Sequence, residues 1–258
     1  MESPSSLLFF TKAKPAVATI KFLIAFCLVV IQGYADYCYF IPPPDWSLAD
    51  PTKLSPRVKI GFLGKSSKGL LPSVNLATEE VDVSLKVYLD AVKKIHEADP
   101  NTRWRDLGSF KTSFGEGRLT EVETKIAYGI ARRMQLIVIK DSTAYIMTLG
   151  ALKEEFPKHY KTFETVLGSL RLTDDLTSAI TSPQKKAQLT QLIQQVRDDF
   201  LNNSENSRTF QEIFQLPSFQ KNSWEPFQKK IVTDFAEMGA YWQILMLQDM
   251  QKQLLQLP

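Results

Sequence analysis

The sequence predicts an α+β fold in which an antiparallel sheet is sandwiched by helices, followed by a C-terminal helical extension. Three observations predict it. Between residues 58 and 149 three segments alternate apolar and polar residues with the period of two expected of half-buried strands, and three more are rich in apolar or β-branched residues, with turn residues between them. Helix-period segments lie before and after the paired strands, at 84–99 and 156–170, a grouping that favours hairpins covered by helices over a parallel βαβ sheet. Beyond residue 175 the composition shifts: residues 176–258 hold a single glycine, Gly239, and eight basic side chains cancelled by eight acidic ones, with apolar residues at helical spacing.

The elements follow in chain order. Lys12, Lys14 and Lys21 flank an unbroken apolar run from Phe22 to Ile31, and Gly33-Tyr34-Ala35 puts small residues before Asp36. This is the charge, apolar stretch and cleavage site of a secretory signal, so residues 1–35 are expected to be a signal peptide cut between Ala35 and Asp36. The run is too short for a spanning helix, which needs roughly 20 apolar residues. No integral membrane segment is therefore expected after cleavage. If the leader is instead retained, with Lys21 reaching the headgroups, the chain is tethered and keeps Cys27. Cleavage leaves Cys38 without an intramolecular partner, either as a free thiol or paired to another chain. Phe26 and Tyr37, each preceding a cysteine, are unsuited to lipid attachment.

Tyr37 to Ile41 reads as a short strand stopped by Pro42-Pro43-Pro44, which offer no backbone donors. Val58–Leu63 and Ser73–Thr78 are strands. Leu85, Tyr88, Leu89, Val92 and Ile95 form the inner stripe of a helix capped by Asp82 or Ser84 and ended by Asp99-Pro100. Arg103–Lys111 and Arg118–Ile126 form a hairpin whose turn is expected at Phe114-Gly115-Glu116-Gly117. Arg132–Ile139 and Thr143–Leu149 form a second, around Lys140-Asp141-Ser142. Phe156, Tyr160, Phe163, Leu167 and Leu170 mark one helix face, with Pro157 tolerated in the first turn. The domain so built is placed at 36–175 and a helical region at 176–258. That region holds a helix from Gln184 to Leu201 and a final stripe from Pro226 to Leu257 with Phe227, Ile231, Phe235, Met238, Trp242 and Leu245. Such a stripe must be buried, either within the chain or against a partner, and Trp224, Phe235 and Trp242 are the partner-binding candidates. Self-association of the tail would make a homo-oligomer.

Charge excludes one class of partner. Of the net +3, residues 1–35 supply +2, so the exported part carries +1 with no basic stripe. Nucleic-acid binding draws most of its affinity from clustered Lys and Arg, and is not expected. Arg132-Arg133 and Arg103 with Arg105 could bind an anion, but strand alternation is expected to split each pair across faces and leave them as solvated face residues. No catalytic, cofactor or metal site is specified. Gly61-Phe62-Leu63-Gly64-Lys65-Ser66 has Lys59 where a phosphate loop needs its first glycine, and Gly115-Glu116-Gly117 lacks the third glycine of a dinucleotide fingerprint. His96 and His159 have no ligand-spaced neighbours and read as helix-surface residues. Glu79, Glu80 and Asp82 lack calcium-loop spacing.

PPPDW at 42–46, PSVNLATEE at 72–80, the helix from Ser84, WRDLGSFKTSFGEGRLTEVE at 104–123, RRMQLIVIKDSTAYIMTLGALKEEF at 132–156 and FETVLGSLRLT at 163–173 together resemble the PsbP, Mog and DcrB superfamily. The resemblance covers about half the chain and implies a non-enzymatic binding or assembly scaffold with no catalytic residue to carry over. With the leader, the expectation is an exported adaptor or assembly factor of the periplasm or envelope of a Gram-negative bacterium, acting on a protein partner. Two other readings stand beside it: a tethered, self-associating envelope component, and a hydrolase built from dispersed carboxylates.

Overall fold

The computed structural model describes residues 37–66, 68–203 and 209–257. The leader, its expected cleavage site at Ala35–Asp36 and Cys27 lie outside the described residues. The chain divides into two compact units: a sheet unit, Pro42–Leu170, and a helical unit in which residues 37–41 join those from Arg171 onward.

The sheet unit is α+β. Its strands are β2 (Ser47–Leu48), β3 (Val58–Leu63), β4 (Ser73–Glu80), β5 (Thr102–Thr112), β6 (Gly115–Ile126), β7 (Gly129–Lys140) and β8 (Thr143–Leu152); the unit's ends exclude β1 (Tyr37–Tyr39). They form one seven-stranded sheet in the order β2-β3-β4-β8-β7-β6-β5, with every pair antiparallel. Helices α1 (Leu85–Glu97) and α2 (Phe156–Gly168) flank it. Adjacent residues of β7 show that they lie on opposite faces: Arg132 stacks on Phe156 of α2, its guanidinium 4.8 Å from the ring centre, while the charge of Arg133 acts on His96 of α1. Strand alternation makes the α2 face apolar, with Phe62, Val74, Leu76, Met134, Leu136, Met147 and Leu149 buried together with Phe156, Phe163, Val166 and Leu167.

Turn chemistry sets the hairpins. Asp141 and Ser142 both take positive φ (50° and 59°), the left-handed pair that a two-residue turn between twisted strands demands. In the preceding hairpin Thr112 pairs with Gly115, so Ser113 and Phe114 make the turn. Gly115-Glu116-Gly117, expected in that turn, instead opens β6. Gly117 is required by close approach, since a Cβ there would sit 2.8 Å from the Ile137 carbonyl oxygen.

The strand expected at Tyr37–Ile41 of the 36–175 domain lies instead in the helical unit, where β1 pairs antiparallel with β9 (Arg171–Thr173). Helix α3 (Pro183–Asn202) is capped by Ser182, whose hydroxyl accepts from the Lys185 N–H at 3.4 Å. Then come α4 (Phe210–Gln215), α5 (Pro217–Phe219), a π-helical turn (Gln220–Trp224), α6 (Glu225–Asp234), a 3-10 turn (Ala236–Met238) and α7 (Gly239–Leu255). The stripe read as one helix from Pro226 to Leu257 is thus broken. Phe235 leaves helical geometry (φ −121°, ψ 34°) and Gly239 takes φ 80°, which a residue with a side chain rarely adopts. No helix among the described residues is long and apolar enough to cross a membrane.

Candidate functional site

The three partner-binding candidates are all interior. Trp224, Phe235 and Trp242 are 1%, 0% and 0% exposed. Trp224 packs between Phe214 and Phe227, with ring centres 5.1 and 5.6 Å away, and Phe235 lies 6.0 Å from Trp242. The Trp242 indole N–H donates to the Leu176 carbonyl at 3.1 Å. Their apolar surface is satisfied inside the helical unit, so in this fold they offer a partner no contact area. Cys38 is a buried free thiol whose pKa burial pushes up, which disfavours the reactive thiolate.

Of the exposed large apolar residues, Val83, Val87 and Ile95 lie together on α1 and just before it. Ser84 caps this helix, accepting from the Val87 N–H at 3.4 Å, and the helix buries none of its residues completely. Leu85, Tyr88, Leu89 and Val92 form its half-buried inner stripe. Ile95, expected to continue that stripe, is 48% exposed, and the half-buried His96 takes its place. Ile95 therefore joins Val87, 53% exposed, and the exposed Ala91 in a ridge of residues four apart. Val83, just before the cap, extends it at the same spacing. Rows at i, i+4 are the ridges with which helices pack into one another's grooves.

Of the four arginine candidates, Arg105 and Arg132 converge on one buried carboxylate. Glu121, 3% exposed at its side chain, accepts from Arg105 Nε at 3.0 Å and from Arg132 Nε at 2.6 Å. Lys153 Nζ donates to Glu123 at 2.8 Å. Arg132 and Arg133 split across the sheet as expected, but Arg103 and Arg105 do not. They are two residues apart on β5, opposite Glu123 and Glu121, and share the α2 face.

The remaining motifs are structural. Gly61–Leu63 belong to β3, and Ser66 donates to Glu155 at 2.9 Å rather than opening a phosphate-binding helix. Glu79 accepts from the Tyr88 hydroxyl at 2.8 Å and pairs with Arg57 at 3.1 Å. Neither histidine is a plain surface residue: both are half-buried, and His159 lies 5.9 Å from Phe163 and 6.2 Å from Trp46 between ring centres. Among the described residues no group of three His, Cys, Asp or Glu is placed to hold a metal.

No protein-family model matches the chain and no curated protein matches it. Among solved structures the chain is similar to cyanobacterial PsbP (CyanoP) from Synechocystis sp. PCC 6803, at 12% identity and TM-score 0.40, covering 57% of this chain and 98% of that one. It is also similar to LpqN, described as involved in cell envelope biogenesis of Mycobacterium tuberculosis, at 12% identity and TM-score 0.40, covering 54% and 84%. A mutant of the protein Mog1 matches at 13% identity and TM-score 0.37, covering 54% and 97%. The fold assignment itself rests on the strand order and register given above.

Proposed function

We propose that this chain is a non-enzymatic binding or adaptor protein, exported to the periplasm or envelope of a Gram-negative bacterium, and that it engages a protein partner through the outer ridge of α1. The observation that supports this reading is the row Val87, Ala91, Ile95: a 13-residue helix that turns two large aliphatic side chains, about half exposed, to solvent at packing spacing. Export rests on the leader, with cleavage between Ala35 and Asp36, and the sheet unit Pro42–Leu170 then carries the contact surface.

The test is crosslinking in intact envelope fractions, comparing the natural chain with a Val87→Glu, Ile95→Glu double variant, together with mass spectrometry of the mature N-terminus. Both sites are exposed, so the variant should keep its circular dichroism and unfolding midpoint. A specific crosslinked product in the natural chain that the variant loses is expected, with Asp36 as the first residue. An undiminished product in the variant would remove α1 from the interface, and a product confined to the cytoplasm would overturn export.

A further inference from the structure

We propose that the α1 face of the sheet carries a binding pocket for a small carboxylate, with Arg133 as its anchoring cation. The pocket is a cavity of about 50 Å³ lined by residues that include Gly61, Ser73, Asn75, Arg133, Thr148 and Gly150. Strand register brings these residues together. Leu63, Ser73, Gly150 and Arg133 are successive cross-strand partners across β3, β4, β8 and β7, and Gly61, Asn75, Thr148 and Gln135 are the neighbouring row. Period two then puts both rows on the face of Arg133, opposite the apolar face under α2.

Three features make this recess suitable for an anion. Arg133 has no carboxylate partner among the described residues; its hydrogen bond is to the Thr124 hydroxyl, 3.2 Å from Nη1, which leaves most of its N–H donors available. Burial lowers its pKa, the signature of a cation short of compensating charge, and the other titratable group against it, His96 of α1, supplies no negative charge. Two glycines on the floor let the surrounding side chains lie close against the strands. A Cβ on Gly150 would lie 3.4 Å from Arg133 Cγ and 3.6 Å from Ser73 Oγ, and one on Gly61 would lie 3.3 Å from the Ala49 Cβ. Ser73, Asn75 and Thr148 add neutral donors. A planar carboxylate matches the guanidinium fork with two parallel hydrogen bonds, and a cavity of this size, several times the roughly 10–15 Å³ that one water requires, takes a carboxylate on a short stem.

Thermal unfolding and calorimetric titration of the full chain with sodium acetate, against sodium chloride of equal ionic strength, test the assignment. Acetate is expected to raise the midpoint saturably, while chloride does not. Arg133→Met should abolish the acetate response and leave the unliganded chain at least as stable as the natural one, because no ion pair is broken. Gly150→Ala places a methyl at an ordinary contact distance beside the Arg133 stem, so it should fold normally and weaken acetate binding about tenfold, or ~1.4 kcal/mol. The absence of saturable acetate binding, or an undiminished response in Gly150→Ala or Arg133→Met, would overturn the site. Saturation by inorganic phosphate but not acetate would overturn the carboxylate assignment.

Discussion

In the sheet unit, polar side chains are buried in rows that the strand register lines up; in the helical unit, the interior is aromatic and aliphatic almost throughout. Among the described residues, the buried polar or charged ones are Thr120, Glu121, Gln135, Thr148 and Glu155 in the sheet unit and Gln243 in the helical one. The reason is geometric. Ladder hydrogen bonds satisfy the strand backbone without help from side chains, so alternation can reserve the Arg133 face for Thr120, Gln135 and Thr148, while Glu121 on the α2 face is held by Arg105 and Arg132. Short helices joined by breaks have no such reserve and depend on close packing: Phe200 against Phe219, Phe214 against Trp224, Phe40 against Tyr241. Even Gln243 serves the backbone, its amide donating to the carbonyls of Val232 and Phe235 at 3.2 and 3.1 Å. Groups capable of ligand chemistry therefore gather in the sheet unit, while the aromatic residues of the helical unit are committed to its stability.

The sharpest way to break this contrast is Trp242→Ala. It empties a fully buried indole site and leaves the Leu176 carbonyl without its donor, and is expected to cost about 4 kcal/mol in chemical denaturation. A cost under about 1 kcal/mol would mean that the aromatic interior is not what holds the helical unit. Glu121→Gln probes the sheet unit. It keeps the shape but removes the charge between Arg105 and Arg132. Since those arginine side chains are 46% and 26% exposed, water compensates part of the loss and about 2 kcal/mol is expected. If Glu121→Gln proved the costlier of the two, the comparison would be reversed.

Legibility in the sequence follows the same division. Val58–Leu63 was bounded correctly and the second hairpin was placed correctly, because period two and turn residues are local signals. The pairing of β1 with β9 was not readable. A three-residue strand has no periodicity, and its partner lies more than a hundred residues away. The burial of Trp224, Phe235 and Trp242 was equally hidden, since an amphipathic stripe looks the same whether its cover is in the chain or on a partner. The α1 ridge was missed through a one-residue ambiguity: Ile95 or His96 can follow Val92 on the inner stripe, and hydrophobicity favoured the wrong one. The Arg133 recess showed in the sequence only as the Arg132-Arg133 pair, whose split across the sheet argues against a joint anion site and hides the single buried cation. Ser73, Asn75 and Thr148 each look like solvent-facing positions until register places them side by side.

His96 offers the smallest effect and the most selective test of the polar face. Burial, and then the charge of Arg133, lowers its pKa, with Asp99 opposing. The folded chain therefore takes up a proton at lower pH than the unfolded chain, whose imidazole titrates near ~6.5. Between those two values the unfolded state binds more protons, so stability falls as pH drops below about 6.5 and the contribution levels off beneath the folded value. His96→Gln should remove this segment of the pH–stability curve and leave the neutral region unchanged, in urea unfolding midpoints taken across that range. In Arg133→Met one of the two depressing causes is gone, so the His96 imidazole, followed by NMR, should titrate closer to its ordinary value. An identical titration in both chains would mean that Arg133 does not face α1, and the polar side of the sheet would have to be redrawn.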